Sequence, residues 1–528
     1  MIIKVYGAAG TGKTTYLAKT ILDNVQSKYM RKVLFISFSN AAIESINEKL
    51  NISIKSLTLH SLAKSYCHRF GGRIDELIKN THRRNPIGFV EQEFSRFCQA
   101  NKIKYSSLTG SPGEGDQAIA MWQKVLSDYY PSTRDKEYCL SKLIQEDKDS
   151  ARIIIKWEMW KKEKKVVDFI DMILYAYDNL EDFVSKMVKN KFKYGFFDEA
   201  QDFNTIEWEI VDNIINELEY SYIAGDDCQT IYTFKGSNAL DFLNHDYDEE
   251  VILPKTYRLP SKILEFSQRI VEKMSHKKIK DIEPVKEGGV VEFKSMNMKK
   301  IVYSAIKESQ EGKSVYVLTR TNQQAQKIID EMLKLAVIPG VLKSTLIEFY
   351  NKDLPNLVRA VQKLKTGRTP SLSELRTLIE YSKDGLEKFG INVQELKKII
   401  SSMQRKKNTQ SNLILAEFLS FIRKINWDVM IRKSSNQKLS RILAFCPDIS
   451  KFTILDNLYI DTFHSSKGLE ADVVYFVDAW VHPDNLKNGV EYIDSELRVC
   501  YVGATRSKEK LYIVECTALG KEFLSAVL

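Results

Sequence analysis

The stretch GAAGTGKT at residues 7–14 decides the class of fold. It fits the pattern GxxxxGK followed by Ser or Thr, and it comes directly after the short apolar run IIKVY at residues 2–6. Helical spacing begins at residue 14, so the stretch lies between a predicted strand and a predicted helix. In that setting the glycines let backbone N–H groups wrap a chain of phosphates. We expect Lys13 to pair with β- and γ-phosphates and Thr14 to bind Mg²⁺.

The chain on either side of this loop predicts a parallel sheet covered by helices. VLFISF at residues 33–38 is a second buried-strand pattern, and a helical pattern follows at residues 41–50. Apolar runs typical of buried strands return at residues 194–197 and 222–224. Residues 61–167 are rich in charged and aromatic side chains at helical spacing, and we interpret them as an insertion.

A second unit of the same kind is predicted further along the chain. VYVL at residues 315–318 and VVYFV at residues 473–477 have the composition of buried strands. Helical patterns fill the sequence between them, from about residue 342 to residue 443. The chain therefore reads as two α/β units, each interrupted by helices.

Composition supports several globular domains and excludes some classes of protein. The 528 residues include 44% apolar and 28% charged side chains, which excludes a disordered or collagen-like chain. No run of 18 apolar residues exists, so we expect no membrane span and no membrane partner. The seven cysteines are scattered and form no CxxC pair, which disfavours disulfides and zinc and favours a reducing, cytoplasmic location.

The charge balance permits nucleic-acid binding without requiring it. There are 78 Lys and Arg residues against 69 Asp and Glu residues, which gives a net charge of +9. Basic runs occur at residues 161–165, 277–280 and 405–407. We interpret these runs as solvated faces rather than binding sites.

Two acidic motifs follow predicted strands. In FFDEAQD at residues 196–202, Asp198 is placed to hold Mg²⁺ and Glu199 to activate a water for attack on a γ-phosphate. Beside a phosphate-binding loop, this pair predicts hydrolysis of a nucleoside triphosphate rather than binding alone. In IAGDDCQTIYTFKG at residues 223–236, a carboxylate pair precedes Gln229, whose amide is placed to reach a γ-phosphate.

The end of the second acidic motif combines rings with a cation. Tyr232, Phe234 and Lys235 lie within four residues of one another. Rings of this kind stack on nucleobases, and a nearby cation meets a phosphate, so the segment is a candidate for nucleic-acid contact. The alternative, which would be preferred without the other motifs, is an edge strand with core aromatics.

The remaining motifs follow in chain order. They are SFSNAA at 37–42, TLHS at 58–61, VDFIDMI at 167–173, TYR at 256–258, LTRTN at 318–322, DTFHSSKGLE at 461–470 and ELRVCYVGATR at 496–506. Together with the three motifs above, this ordered set resembles the motifs of superfamily 1A DNA helicases of the UvrD/Rep/PcrA type. The resemblance spans residues 7–506.

The resemblance implies an α/β fold with two RecA-like parallel-sheet P-loop domains, each carrying a mostly helical insertion. The implied boundaries are 1–60 and 168–260 for the first RecA-like domain, 61–167 for its insertion, 261–341 and 444–528 for the second RecA-like domain, and 342–443 for its insertion. The second insertion is shorter than is usual in the family, so its regulation is expected to differ.

The resemblance also implies a nucleotide site between the two RecA-like domains, with ATP and Mg²⁺ as cofactors. Arg258 and Arg506 would act as arginine fingers, and Tyr257 would stack on the adenine. The expected catalytic residues are Lys13, Asp198, Glu199, Gln229, Arg258 and Arg506. The expected ATP-binding residues are Gly7, Ala8, Ala9, Gly10, Thr11, Gly12, Lys13, Thr14, Thr15, Tyr257, Gly468 and Glu470. The expected Mg²⁺ ligands are Thr14 and Asp198.

The implied partners are single-stranded DNA and tailed duplex DNA, with movement from 3′ to 5′. The expected DNA-binding residues are Phe38, Asn40, His60, Tyr232, Phe234, Lys235, Thr462 and His464. Because every base has a π-face, stacking on rings carries no sequence preference. A histidine is more often structural than a ligand, so His60 and His464 are the weaker candidates.

The sequence departs from the family pattern in several places. The adenine-reading Gln motif that usually precedes the first motif has no room here, so we expect weaker discrimination between ATP and other nucleotides. Phe234 stands where Trp is frequent, and Lys235 stands where Arg is usual, which keeps the charge but loses the planar fork. We also expect neither a fused nuclease domain nor a long partner-binding tail.

Three alternatives remain open at this point. The chain could be a DNA-stimulated ATPase subunit that works with a separate nuclease or with a repair, replication or defence partner. It could be a small-molecule P-loop kinase, although such an enzyme needs neither of the last two motifs. RNA could be the natural strand, because stacking distinguishes the sugars poorly.

Overall fold

The computed structural model describes residues 1–50, 52, 54–71, 86–105, 113–343, 347–405, 417–478 and 489–516. Two six-stranded sheets and one two-stranded sheet organise this part of the chain. The strands are β1 (Ile2–Tyr6), β2 (Val33–Ser37), β3 (Lys55–Leu57), β4 (Tyr194–Asp198), β5 (Tyr220–Gly225), β6 (Glu249–Ile252), β7 (Lys255–Pro260), β8 (Glu283–Lys286), β9 (Val290–Ser295), β10 (Val315–Thr319), β11 (Val337–Gly340), β12 (Thr453–Thr462), β13 (Ala471–Val477) and β14 (Ser507–Glu515).

The first sheet has the order β3-β2-β4-β5-β1-β6, and all of its pairs are parallel. Its inner strands are buried apolar runs, as expected for a sheet covered on both faces. The register pairs Tyr6 with Gly225 and Ser37 with Asp198. The carboxyl ends of these strands therefore meet at one edge, where the chain leaves β1 into the Gly-rich loop.

Helices cover this sheet and extend away from it between β3 and β4. They are α1 (Lys13–Asn24), α2 (Asn40–Leu50), α3 (Leu59–Phe70), α4 (Pro86–Ala100), α5 (Glu114–Thr133), α6 (Lys136–Glu146), α7 (Lys148–Lys164), α8 (Phe169–Asp178), α9 (Leu180–Met187), α10 (Thr205–Ile215) and α11 (Ala239–Asn244). Capping is explicit in the sequence: Asn204 and Glu207 exchange side-chain to backbone hydrogen bonds of 3.0 Å at the start of α10.

The second sheet has the order β11-β12-β10-β13-β14-β9 and is also parallel throughout. Its helices are α12 (Ser261–Glu272), α13 (Met298–Gln310), α14 (Asn322–Lys334), α15 (Leu354–Lys365), α16 (Leu372–Tyr381), α17 (Lys383–Lys388), α18 (Val393–Arg405), α19 (Trp427–Arg432), α20 (Gln437–Phe445) and α21 (Val490–Ala504). Helices α15–α20 lie between β11 and β12. The two parallel sheets confirm the predicted α/β class. Within the described residues, no helix is both long and apolar enough to cross a bilayer.

The first basic run is a solvated face over residues 162–165, as predicted, but its first residue is buried. Lys161 is 4% exposed, and its Nζ lies 2.8 Å from carboxylate oxygens of Glu158, Asp168 and Asp171. The indole N–H of Trp157 donates to Asp168 at 3.0 Å. Burial by itself lowers the pKa of Lys161, but the three carboxylates outweigh burial and raise that pKa. Lys161 therefore links α7 to the start of α8, where the chain returns to the sheet.

The second basic run, at residues 277–280, also ends in a buried side chain, since the side chain of Lys280 is 5% exposed. The third run, at residues 405–407, lies outside the described residues except for Arg405. Sequence periodicity does not reveal burial of this kind, because two of the carboxylate partners of Lys161 lie beyond the end of its helix and those of Lys280 are more than 50 residues away.

We expect Lys161→Met to destabilise the protein by about 3 kcal/mol, the lower end of the range for a broken buried pair, because it leaves the buried Asp168 without its cation while Lys136 still pairs with the other two carboxylates. Urea titration followed by tryptophan fluorescence measures this change in the free energy of unfolding. Lys164→Met is the matched control, since Lys164 is half-exposed and pairs with the exposed Glu163. Equal unfolding midpoints for the two variants would contradict the assignment.

Candidate active site between the two sheets

A cavity of about 500 Å³ lies between the two sheets and is lined from both sides. The first half contributes Ala8, Gly10, Gly12, Lys13, Thr14, Thr15, Phe38, Ser39, Ala42, Ser45, Lys49, Glu199, Asp202 and Tyr232. The second half, which begins at β7, contributes Tyr257, Arg258, Lys286, Lys343, Lys467, Gly468, Glu470 and Lys508. The predicted boundary at residue 260 assigned β7 to the first half, but β7 pairs with β8 of the second. The cavity thus brings together members of the predicted nucleotide set that are more than 400 residues apart in the sequence.

The Gly-rich loop has the conformation that its glycines permit. Gly10 and Gly12 have φ of 75° and 79°, the left-handed region that other residues rarely adopt. Gly12 caps α1, so the helix begins at Lys13 and points its amino end at the cavity. The Lys13 ammonium donates to the carbonyl of Gly7 at 3.0 Å. The loop therefore combines backbone N–H groups, a helix amino terminus and a cation.

The second half of the chain packs directly onto this loop. The hydroxyl of Thr256 donates to the carbonyl of Ala9 at 2.9 Å, and the Tyr257 N–H donates to the carbonyl of Gly10 at 2.9 Å. The Ala9 N–H in turn donates to the hydroxyl of Tyr501 at 3.2 Å. A Cβ at Gly10 would lie 2.4 Å from the Cβ of Arg258, so any larger residue would force the halves apart. The ring of Tyr257 remains 60% exposed and free to stack.

Oxygen donors suited to Mg²⁺ lie at the end of this loop. The hydroxyl of Thr14 donates to Asp198 at 2.6 Å. Burial, followed by the neighbouring charge of Glu199, raises the pKa of Asp198 to about 6. Mg²⁺ prefers hard oxygen ligands, and a bound cation would offset the cost of holding Asp198 ionised. The two predicted metal ligands therefore fit the ion.

Glu199 is held in an unusual conformation beside the cavity. Its φ is 55°, in the left-handed region, and its carboxylate accepts a hydrogen bond of 2.6 Å from the amide of Gln201. Burial raises its pKa, but Lys13 and Lys467 outweigh burial, so the pKa of Glu199 is lowered overall. Glu199 is consequently ionised at neutral pH and able to accept a proton.

The two predicted arginine fingers lie in different settings. Arg258 lines the cavity and donates to Glu470 at 2.7 Å. Arg506 is 1% exposed and lies behind the residues that line the cavity. It donates to the carbonyl of Leu469, which lies between the lining residues Gly468 and Glu470, at 3.3 Å. Burial and the proximity of Arg258 lower the pKa of Arg506 to about 9, which leaves it charged at neutral pH. Its Nη2 lies 3.4 Å from Oε1 of Gln229, a third predicted residue.

Lys467 is a functional candidate that the sequence analysis did not single out. Its Nζ lies 2.7 and 2.6 Å from the two carboxylate oxygens of Asp202 and donates to the carbonyl of Gln229 at 2.6 Å. It also lies 4.0 Å from Glu199. Burial raises the pKa of Asp202 to about 7 even though Lys467 opposes that shift. The signal was present in the sequence, because Lys467 lies inside DTFHSSKGLE and Asp202 ends FFDEAQD.

The predicted DNA-binding aromatics form a connected set beside the cavity. The rings of Phe38 and Tyr232 stack at 5.1 Å, and Tyr232 lies 6.0 Å from Phe234. Phe234 is 42% exposed and lies 5.7 Å from the ring of His464, which comes from the second half. Lys235 lies within 6 Å of the Tyr232 and Phe234 rings. Phe38 and Tyr232 also line the nucleotide cavity, so the aromatic set adjoins it.

The other predicted DNA-binding residues are more dispersed. His60 lines a smaller cavity of about 240 Å³ together with Phe38 and Lys235, and its Nδ1 lies 3.6 Å from Glu207. Thr462 is buried, and its hydroxyl lies 3.2 Å from that of Ser465. The structure therefore places His60 near the aromatic set, whereas Thr462 ends β12 and its hydroxyl contacts the turn that follows.

Asn40 is exposed at the start of α2. No contact recorded in the described part of the chain ties its side chain to the aromatic set. Its assignment to DNA binding therefore stays a prediction.

Comparisons with known proteins agree with this geometry. Residues 2–249 match the UvrD/REP helicase N-terminal domain, and residues 343–518 match the UvrD-like helicase C-terminal domain. The ATP-dependent DNA helicase PcrA of Staphylococcus epidermidis is 24% identical over 97% of this chain and 81% of its own length. The proteins of the same name from Leuconostoc citreum and Staphylococcus aureus are each 22% identical, over 96% and 97% of this chain and 79% and 81% of their own lengths.

Proposed function

The chain belongs to the UvrD/PcrA-like superfamily 1A helicases, and on that basis we propose that it is an ATP-dependent DNA helicase that moves on single-stranded DNA from 3′ to 5′. One observation carries the proposal. Lys13 and Glu199 line the cavity from one half of the chain, and Arg258 lines it from the other. The stacked rings of Phe38 and Tyr232 border the same cavity. A nucleotide in the cavity and a DNA strand on the aromatic set would therefore both contact Phe38 and Tyr232.

Hydrolysis follows from the side chains of the cavity. The loop N–H groups and Lys13 hold the phosphates, and Thr14 and Asp198 are the residues that would hold Mg²⁺, which when bound withdraws charge from the phosphate oxygens. Glu199 accepts a proton from the attacking water, so that ATP and water give ADP and phosphate. Arg258 and Arg506 are placed to stabilise the charge on the transferring phosphoryl group.

Movement follows from contacts that join the halves across the cavity. Thr256 and Tyr257 bond to the loop, and Lys467 bonds to Asp202. Loss of the γ-phosphate changes the charge that Lys467 and the arginines face, and the relative position of the halves responds. We propose that the aromatic set grips the strand in alternation as the halves open and close. The division of the chain into two RecA-like domains with two insertions is part of this proposal.

Steady-state ATP hydrolysis with and without single-stranded DNA tests the proposal. We expect strong stimulation by DNA that disappears in the Lys13→Ala variant, because Lys13 is the cation of the phosphate-binding loop. Duplexes with a single-stranded tail at either the 3′ or the 5′ end then establish direction. Hydrolysis indifferent to DNA would contradict the proposal and favour an ATPase subunit that depends on a partner.

We expect Phe234→Ala to weaken binding of single-stranded DNA by about 1–3 kcal/mol, the usual contribution of one stacked base. The DNA concentration for half-maximal ATPase stimulation measures this loss, and Phe234→Trp should lower that concentration because its ring is larger. Tyr303→Ala is the control, since Tyr303 is 60% exposed on α13. Equal DNA concentrations for Phe234→Ala and Tyr303→Ala would remove Phe234 from the strand-binding surface.

A further inference from the structure

Lys280 is a buried cation that joins the two halves of the chain away from the nucleotide cavity. It lies in the segment between α12 and β8, which belongs to the second half. Its Nζ nevertheless lies 3.0 Å from Oδ1 of Asp226 and 2.6 Å from Oδ1 of Asp227, just after β5 of the first sheet. The lysine side chain is 5% exposed, and both carboxylates are fully buried.

Charges at this depth are stable only when they are paired. Burial by itself lowers the pKa of Lys280, but Asp226, Cys228 and Asp227 outweigh burial and raise that pKa. Burial likewise raises the pKa of Asp226, and Lys280 together with Lys13 reverses that effect and lowers it. Lys280 therefore keeps Asp226 in its ionised form.

An ionised Asp226 is only an acceptor, and this fixes the side chain of Gln229. Oδ2 of Asp226 accepts a hydrogen bond of 2.8 Å from the amide nitrogen of Gln229. Because the nitrogen is engaged there, the amide oxygen of Gln229 faces Arg506, whose Nη2 lies 3.4 Å away. A protonated Asp226 could donate instead and would allow the amide to turn over.

The same residue also reaches the candidate general base. The backbone N–H of Asp226 donates to Oε1 of Gln201 at 3.0 Å, and Nε2 of Gln201 donates to Glu199 at 2.6 Å. Asp226 therefore holds two glutamines, one facing Arg506 and one facing Glu199. A displacement of Asp226 would therefore change the surroundings of both Arg506 and Glu199.

We propose that Lys280 is a positioning residue for ATP hydrolysis. It anchors Asp226, and Asp226 in turn orients Gln229 beside Arg506 and Gln201 beside Glu199. This inference rests on the proposed ATPase function and deepens it. Lys280 itself touches neither the nucleotide cavity nor the aromatic set, so it acts through Asp226. Since Lys280 comes from the second half, the anchor exists only while the halves are held together on this side.

The test is DNA-stimulated ATP hydrolysis by the full chain. We expect Lys280→Met to lower kcat by about 10- to 100-fold, the size of effect that outer-shell partners commonly have, while KM for ATP changes less than about threefold. Lys280→Arg keeps the charge and should recover most of the activity. Lys278→Met is the matched control in the same segment, because Lys278 pairs with the partly exposed Glu250.

A double-mutant cycle separates positioning from a merely structural tie. Because Lys280 acts partly through Gln229, Lys280→Met should lower kcat by a smaller factor in the Gln229→Ala background than in the starting protein, whereas independent losses would multiply fully. If Lys280→Met does not fold, Asp226→Asn serves instead, since it keeps the shape, leaves Asp227 for Lys280 and lets residue 226 donate to Gln229. Its kcat should also fall by about tenfold or more.

Two outcomes would overturn the inference. One is a Lys280→Met protein with the kcat of the starting protein, and the other is multiplicative losses in the cycle. Failure of the proposed function is distinguishable, because then the starting protein itself shows no DNA-stimulated hydrolysis that Lys13→Ala removes. In that case the variants at residues 226 and 280 have no activity to change.

Discussion

Replacing Arg506 with Ala is expected to lower kcat for ATP hydrolysis by about 10³-fold or more, the usual range for loss of an arginine finger. The guanidinium is 1% exposed and is held by the carbonyl of Val502 at 2.7 Å and the hydroxyl of Thr505 at 2.8 Å. Its recorded partners in the described chain are carbonyl, hydroxyl and amide oxygens, none of them a carboxylate. A buried positive charge that no carboxylate of the described chain contacts by a hydrogen bond, beside the charge of Arg258, is a site suited to an anion.

Single-turnover hydrolysis and nucleotide binding, measured separately, check this prediction. Binding should change far less than kcat, because the charge matters most when negative charge develops on the transferring group. Arg506→Lys retains the charge but loses the planar fork, and we expect it to fall between the starting protein and Arg506→Ala. An Arg506→Ala protein with weakened binding and unchanged kcat would show that Arg506 only holds the ground state.

The strands that are buried on both faces of a sheet could be predicted from the local sequence. The apolar runs at residues 2–6, 33–38, 194–197 and 222–224 each became a buried strand, and their ends moved by no more than two residues. A strand buried on both faces needs a continuous apolar run, and such runs are visible without knowledge of the neighbours. The family resemblance, which rests on short ordered motifs, is confirmed by the two matching domain families.

The short and amphipathic strands were not predicted, and the reason is physical. Strand β3 has three residues and β8 has four, too few for any periodicity to emerge. Strand β9 lies at the edge of its sheet and exposes Phe293, so its pattern is not that of a core strand. Such elements form because a neighbour offers backbone hydrogen bonds, and the neighbour is distant in the sequence.

In the candidate site, the residues could be predicted from the sequence but their pairings could not. The sequence motifs identified side chains by their own type and spacing, and the structure brings Lys13, Glu199, Tyr257 and Arg258 to one cavity. The sequence could not supply pairings such as Lys467 with Asp202, which are 265 residues apart. A lysine and a carboxylate carry no mark of the partner that they will meet, so only the assembled fold reveals which charges are buried.

These pairings share one feature that bears on mechanism. Lys467 joins the second half to Asp202 and to the carbonyl of Gln229, and Arg498 donates to the carbonyl of Asp227 at 3.0 Å. Each bond crosses from a cation of one half to a loop that follows a strand of the other. The loops that carry the candidate catalytic groups are thus fixed by the opposite half, and hydrolysis should depend on how the halves are placed.

Glu199→Gln is expected to lower kcat by about 10²- to 10⁴-fold, the range for loss of a general base. The change keeps the shape of the side chain, and an amide at this position can still meet Gln201, which now donates at 2.6 Å. What is lost is the ability to accept a proton from the attacking water. Because Asp198 and Thr14 are untouched, the affinity for the nucleotide and its metal should stay within about threefold of the starting value.

The pH dependence of the same reaction gives an independent check. The pKa of Glu199 is lowered by Lys13 and Lys467 despite burial, so Glu199 is ionised throughout the neutral range and its own protonation should reduce activity only well below pH 7. Any earlier loss near pH 6–7 belongs to Asp198 or Asp202, whose pKa values are about 6 and about 7, and Glu199→Gln should leave that part of the profile unchanged. Glu199→Asp keeps a carboxylate on a shorter arm and should recover part of kcat with the same acid limb. A Glu199→Gln protein that hydrolyses ATP at the starting rate would assign the base to another group, and Asp202, whose pKa is about 7, would then be the nearest alternative.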